Sequence, residues 1–111
     1  MTLEDSVPTV DLPTLEQTAE LAEIFHLMGD PSRLRIVLRC LHADVAVTDI
    51  AQSLGLSQSS VSHHLRLLRA ARLLRAERRG KQVFYSAADH HVRGMLGDMV
   101  EHISEGKGGD T

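Results

Sequence analysis

The chain is poor in the residues that staple or fill small folds. Of its 111 residues one is a cysteine, Cys40, and three are aromatic, Phe25, Phe84 and Tyr85, with no tryptophan. A single thiol excludes an internal disulfide and any Cys-x-x-Cys redox or metal pair within one chain. Scarce aromatics leave the core to Leu, Val, Ile, Ala and Met, which favours helices. No apolar run reaches the roughly 18 residues of a membrane span. The opening MTLEDSVPTV lacks the charged-then-apolar layout of a leader, so a cytoplasmic protein is expected. There is no recognisable nucleophile–base pair and no phosphate-cradling glycine loop, so an enzyme is not expected. The length suits one domain whose modest core would gain from burial shared between two subunits.

Charge is present but segregated. The formal net charge is −3, yet seven of the twelve basic residues fall between Arg66 and Lys81: Arg66, Arg69, Arg72, Arg75, Arg78, Arg79 and Lys81, against the single acid Glu77. The acids concentrate toward both ends. A basic stripe on an acidic body points to a polyanion met by one surface.

Periodicity and breakers divide the chain. Residues 1–13 hold Pro8 and Pro13 without helical spacing and read as a flexible tail. A helix follows from Thr14, with Leu15, Ala19, Ala22, Phe25 and Leu27 or Met28 as its apolar face, ended by Gly29. Asp30-Pro31 opens a second helix as N-cap and first turn. Its buried side is Leu34, Ile36, Val37, Leu38 and Leu41, with Arg33, Arg35 and Arg39 outward. Thr48 is the expected cap of a short helix over 49–54, and Gly55 its left-handed stop. Ser57 caps the next helix, 58–71, whose inner face is Val61, Leu65 and Leu68. Two short helices across a tight glycine turn form a helix-turn-helix. Gln58, Ser59, Ser62 and His63 are the expected base readers. Arg66 and Arg69 are expected on phosphate. Alternation from Leu74, a turn at Arg79-Gly80-Lys81 and the strand-favouring Val83-Phe84-Tyr85 predict a hairpin wing, adding Arg78, Arg79 and Lys81 as phosphate contacts. A last helix spans about 89–105, and Gly106, Gly108 and Gly109 lead into a second tail, 106–111.

The stretches GDPSRLRIVLRCL, DIAQSLGLSQSSVSHHLRLLRAARLL and RRGKQVFY resemble the ArsR/SmtB family of winged-helix metal-sensing repressors. The run SQSSVSHHL is the most specific of these motifs. The resemblance covers about residues 15–105. It implies a mainly α winged helix-turn-helix, with a β-hairpin wing and N- and C-terminal dimerisation helices, in a domain over 14–105. It also implies a homodimer that holds operator DNA until an inducer binds. Family members with a metal site on the C-terminal helix share Asp-x-His, ten residues, then His-x-x-Glu or His. This chain reads Asp89, His91, His102 and Glu105, while the cysteine pattern of arsenic or cadmium sensors is absent. In such relatives the ligand matching His102 connects to the end of the recognition helix, where this chain has Arg72.

Spacing supports the same site independently. Eleven residues are close to three helical turns, so His91 and His102 share a face yet stand about 16 Å apart along the axis. One helix cannot close a cage whose ligands sit about 2 Å from the ion. An antiparallel second copy can, and symmetry then gives two equal sites. The midpoint of both ligand pairs falls near Gly97, so Gly94 and Gly97 are expected at the dyad. Met95, Leu96, Met99, Val100 and Ile103 are the expected apolar seam. Two imidazoles and two carboxylates suit Zn(II) as inducer, and Co(II) fits the same ligands. A Co(II)- or Ni(II)-responsive repressor, or a metal-independent one, is the alternative.

Overall fold

The computed structural model describes the backbone of residues 11–109 and the side chains of residues 11–106. Residues 1–10 of the expected N-terminal tail, and 110–111 of the C-terminal one, lie outside the described residues. The order is α1 (Leu15–Met28), α2 (Pro31–Arg39), β1 (Val45–Ala46), α3 (Val47–Leu54), α4 (Gln58–Ala70), β2 (Leu74–Arg79), β3 (Gln82–Ala87) and α5 (His90–Gly109).

Local chemistry sets most of these boundaries. Thr14 and Gln17 form a reciprocal capping box on α1: Thr14 Oγ1 accepts from the Gln17 N–H at 3.0 Å, and Gln17 Oε1 accepts from the Thr14 N–H at 2.9 Å. Asp30 caps α2 by accepting from the Arg33 N–H at 3.0 Å, and Ser57 caps α4 by accepting from the Ser60 N–H at 3.1 Å. Gly55 ends α3 at φ +69°, a conformation that costs an L side chain about 1–2 kcal/mol.

Two boundaries differ from expectation. Helix α3 starts at Val47 rather than after Thr48, and no side chain caps it. Val45 and Ala46 pair with Tyr85 and Phe84, so the chain leaves a strand directly into the helix and Thr48 stays exposed. Helix α5 runs through Gly106 to Gly109. Of the described glycines only Gly55 and Gly80 take positive φ, and a helical glycine weakens a helix without ending it.

The three strands lie in the order β1-β3-β2, all antiparallel. The core fills the angle between α2, α3, α4 and this sheet. Ile36, Val37, Cys40, Ile50, Val61, Leu65, Leu68, Leu73 and Leu74 are buried in it. Leu34 and Leu38 are half-buried, as is Arg33, whose Nε donates to the Leu27 carbonyl at 2.8 Å instead of facing solvent.

The terminal helices, expected to pack against a second chain, are the least covered elements. Only Leu27 and Met28 of α1 are buried; Ala19 and Ala22 are exposed, Leu15 is 90 % exposed and Phe25 54 %. On α5, Leu96 is buried, but Met99, Val100 and Ile103 are 50 %, 46 % and 62 % exposed. The Cα radius of gyration is 17.5 Å, against about 13 Å for a compact chain of this length. Both helices dock by part of their length, through Ile24, Leu27 and Met28 on α1 and Val92, Met95 and Leu96 on α5, and leave the rest of their apolar surface uncovered in one chain.

Candidate nucleic-acid interface and metal centre

Helix α4 buries Val61, Leu65 and Leu68. At about 100° per residue, Ser59, His63 and Arg66 each lie more than about 120° from the middle of that stripe, and all three are exposed. Gln58, Ser62 and Arg69 lean toward the wing. Ser62 is half-buried, unlike the other expected base readers.

Strand alternation sorts the wing. Leu74, Ala76 and Arg78 pair with Ala87, Tyr85 and Val83, whereas Arg75, Glu77 and Arg79 pair with Ser86, Phe84 and Gln82. Buried Leu74 and Ala87 mark the first set as the face turned to α4. Arg78 therefore shares the α4 side with Tyr85, and Lys81 is exposed at the tip beside Gly80, whose φ is +64°. Arg79 is on the opposite face. Its Nη2 donates to Asp44 Oδ2 and, at 2.7 Å, to Glu77 Oε1. Its guanidinium also stands 4.9 Å from the centre of the Phe84 ring. The Arg79 hydrogen bond, together with its positive charge, holds the Asp44 carboxyl below its usual range. The structure thus separates Arg79 from the other expected phosphate contacts and makes it a brace between the wing and the loop before β1. The sequence shows its charge but not Asp44, 35 residues away.

Arg72 lies in the turn between α4 and β2 at φ +62°, the one described non-glycine residue with positive φ. Its Nη2 donates to Glu20 Oε2 on α1 at 2.8 Å. It also lines, with Leu21, Asp89, His91 and Met95, a largely apolar cleft of about 380 Å³. The end of the recognition helix and the start of α5 therefore share one cleft.

Asp89 caps α5: its Oδ1 accepts from the N–H groups of His91 at 3.0 Å and Val92 at 3.1 Å. The Val92 hydrogen bond, with that of His91, keeps its carboxyl below the usual range and charged. His91, His102 and Glu105 are exposed. Among the described residues no three His, Cys, Asp or Glu side chains of one chain converge on a common point, as the spacing of the helix requires. His91 and His102 lie about 20° apart around the axis, with Glu105 within about 60° of both. Met99, exposed, flanks this stripe.

The donor set of two imidazoles and two carboxylates, accessible and mutually unpaired, fits a tetrahedral ion shared with a second chain. Gly94 borders the ligand stripe, and Gly97, its neighbour about 60° further around the helix, faces more than about 100° from His91. A Cβ on either would meet nothing within 4 Å in a single chain.

Comparison with known proteins gives concordant results. Residues 30–76 match the family model described as bacterial regulatory protein, arsR family. The chain is 38% identical over 95 residues to a transcriptional repressor SmtB homolog of Synechocystis sp., covering 86% of this chain and 72% of that one. It is 36% identical over 87 residues to the HTH-type transcriptional regulator NmtR of Mycobacterium tuberculosis, covering 78% and 72%. The crystal structure of the AntR antimony-specific transcriptional repressor superposes with TM-score 0.76 at 30% identity, covering 96% of this chain and 97% of that one.

Proposed function

The chain belongs to the arsR family of bacterial regulatory proteins, and from that premise we propose that it is a homodimeric, zinc-responsive repressor whose metal sites lie between its subunits. Its relatives are DNA-binding transcriptional regulators, not enzymes, and among the described residues no helix is long and apolar enough to cross a membrane. Metal sensing is in keeping with the antimony-specific relative.

One observation carries the reading. His91 and His102 share an exposed face of α5 that one chain cannot close, next to an apolar stripe, Met99 and Ile103, that one chain leaves uncovered. A second α5 packed antiparallel covers the stripe and completes the ligand set in the same step. Asp89 and His91 would then act with His102 of the partner subunit and Glu105 of the partner subunit. The ion supplies a cross-link between the two chains; Zn(II) suits the donors, and Co(II) shares them.

In the DNA-bound form, Gln58, Ser59 and His63 face the major groove, and Arg66, Arg69, Arg78 and Lys81 meet phosphate. Arg72 is the proposed coupling residue, since it touches α1 and shares the cleft of Asp89 and His91. Fixing the crossing of the two α5 helices would fix the spacing of the recognition helices, and one spacing fits two half-sites a helical turn apart while another does not.

The test is an operator titration with and without metal. Zinc should weaken binding by the wild type on the order of a hundredfold, a coupling typical of such switches. His102→Ala should bind operator as the metal-free wild type does and stay bound on zinc addition. Release of DNA by His102→Ala on zinc addition would reject the site. Co(II), Ni(II) and Cd(II) in the same titration identify the inducing metal.

A further inference from the structure

Two clefts lie on the α4 side of the wing and meet at the same pair of side chains. One, of about 470 Å³, is lined by Ser62, Leu65, Arg66, Arg69, Ala70 and Tyr85. The other, of about 320 Å³, includes Thr48, Gln58, Ser62, Lys81, Gln82 and Tyr85. Ser62 and Tyr85 belong to both, so the clefts join into one trough between α4 and β3 with these two hydroxyl residues at its middle. Arg66 and Arg69 flank one end and Lys81 the other. No carboxylate lines either cleft.

The trough is rigidly built. Tyr85 lies on the central strand, paired to Val45 on one side and Ala76 on the other. Among the described residues its hydroxyl makes no side-chain hydrogen bond and is not buried without a partner. Ser62 sits on a helix fixed by three buried residues. From Gln58 to Arg69 the helix rises about 16 Å. One DNA strand presents a phosphate per roughly 3.4 Å of axis, so the trough has the length of a few phosphates.

We propose that this trough seats the sugar–phosphate backbone of one DNA strand, with Ser62 Oγ and the Tyr85 hydroxyl donating to a phosphate between the basic ends. Ser62 is then a backbone contact rather than a base reader, and Tyr85 and Thr48 join the interface. The proposal rests on the repressor reading above and refines which groups touch bases.

The experiment measures binding of the metal-free full-length chain to an operator duplex and a scrambled duplex across salt concentrations, for wild type, Ser62→Ala, Tyr85→Phe and Lys81→Ala. Each hydroxyl deletion should weaken both duplexes by the same factor, roughly tenfold for a lost hydrogen bond to a charged group. The salt slope should stay at the wild-type value, whereas Lys81→Ala should reduce it by about one. Because both hydroxyls serve one phosphate, the double variant should lose less than the product of the single losses. Unfolding midpoints within about 2 °C of wild type would assign any loss to binding. Loss confined to the operator for Ser62→Ala would return that residue to base readout and overturn the seat. Unchanged affinity of both hydroxyl variants for both duplexes would overturn it as well. A wild type that binds neither duplex rejects the repressor reading itself, an outcome distinct from these.

Discussion

Burial decides the chemistry of Cys40. Its side chain has no exposed surface, and desolvation pushes the thiol from 9.0 up to about 12, so it packs as a small apolar group and does not act as a nucleophile or ligand near neutral pH. The sign of the pH effect follows. Above pH 9 the unfolded chain ionises this thiol while the folded chain does not, so stability present below pH 9 is lost as pH rises toward 12. The loss should reach up to about 4 kcal/mol across that window. Urea unfolding at pH 8, 10 and 11 measures it, and Cys40→Ala should flatten the part of the decline that the wild type owes to the thiol. A Cys40→Ala slope equal to that of wild type would place the alkaline loss elsewhere. Arg78 and Arg79 make the same point about charge. The sequence presents two adjacent cations, and only strand alternation and the carboxylate of Asp44 show that they serve opposite faces.

Among the elements, α5 holds an unresolved cost. Gly94 and Gly97 each weaken the helix by about 0.5–1 kcal/mol relative to alanine, and nothing in one chain obstructs a Cβ at either. Gly94 borders the ligand stripe and Gly97 does not, so their alanine variants should differ. Gly97→Ala should raise the unfolding midpoint and leave the dimer intact. Gly94→Ala should weaken subunit association or zinc binding even though the isolated helix gains, because there the small residue lets a second chain approach. Sedimentation and zinc titration of both variants check this; a Gly94→Ala dimer as tight as wild type, binding zinc equally, would show that the glycine serves no contact. The helices and the wing were legible because their signals are local: Asp30, Gly55, Ser57 and Gly80 cap or turn the chain by their own chemistry. Less legible were β1, two residues long and defined only by its pairing to β3, and the uncapped start of α3 that follows from it. The proposed ligand quartet follows from the resemblance and agrees with helical spacing, but the face of α1 could not be read. Its periodicity announces a buried side without saying whose core buries it.

At the scale of the whole molecule, the proposed dimer would account for both the uncovered apolar surfaces and the split ligand set. The large exposed apolar residues of the described chain, Leu12, Leu15, Leu21, Phe25, Met99, Val100 and Ile103, lie on α1, on α5 or just before α1, and none lies on the helix-turn-helix or wing. The basic surface lies on α4 and the hairpin. A dimer joined through α1 and α5 therefore hides the apolar faces and leaves both recognition helices outward, as two half-sites require. A charge placed in that seam should separate the subunits without unfolding either. Ile103 is 62 % exposed in one chain, so Ile103→Glu costs the isolated fold little, but in the dimer it buries an unpaired carboxylate at a penalty of several kcal/mol. Sedimentation at micromolar concentration should find the variant monomeric with a native circular dichroism spectrum. Its operator binding should fall toward that of one half-site, and zinc should no longer change it. Dimers of undiminished stability in Ile103→Glu would mean that α5 faces solvent in the assembly, and the shared metal site would go with it.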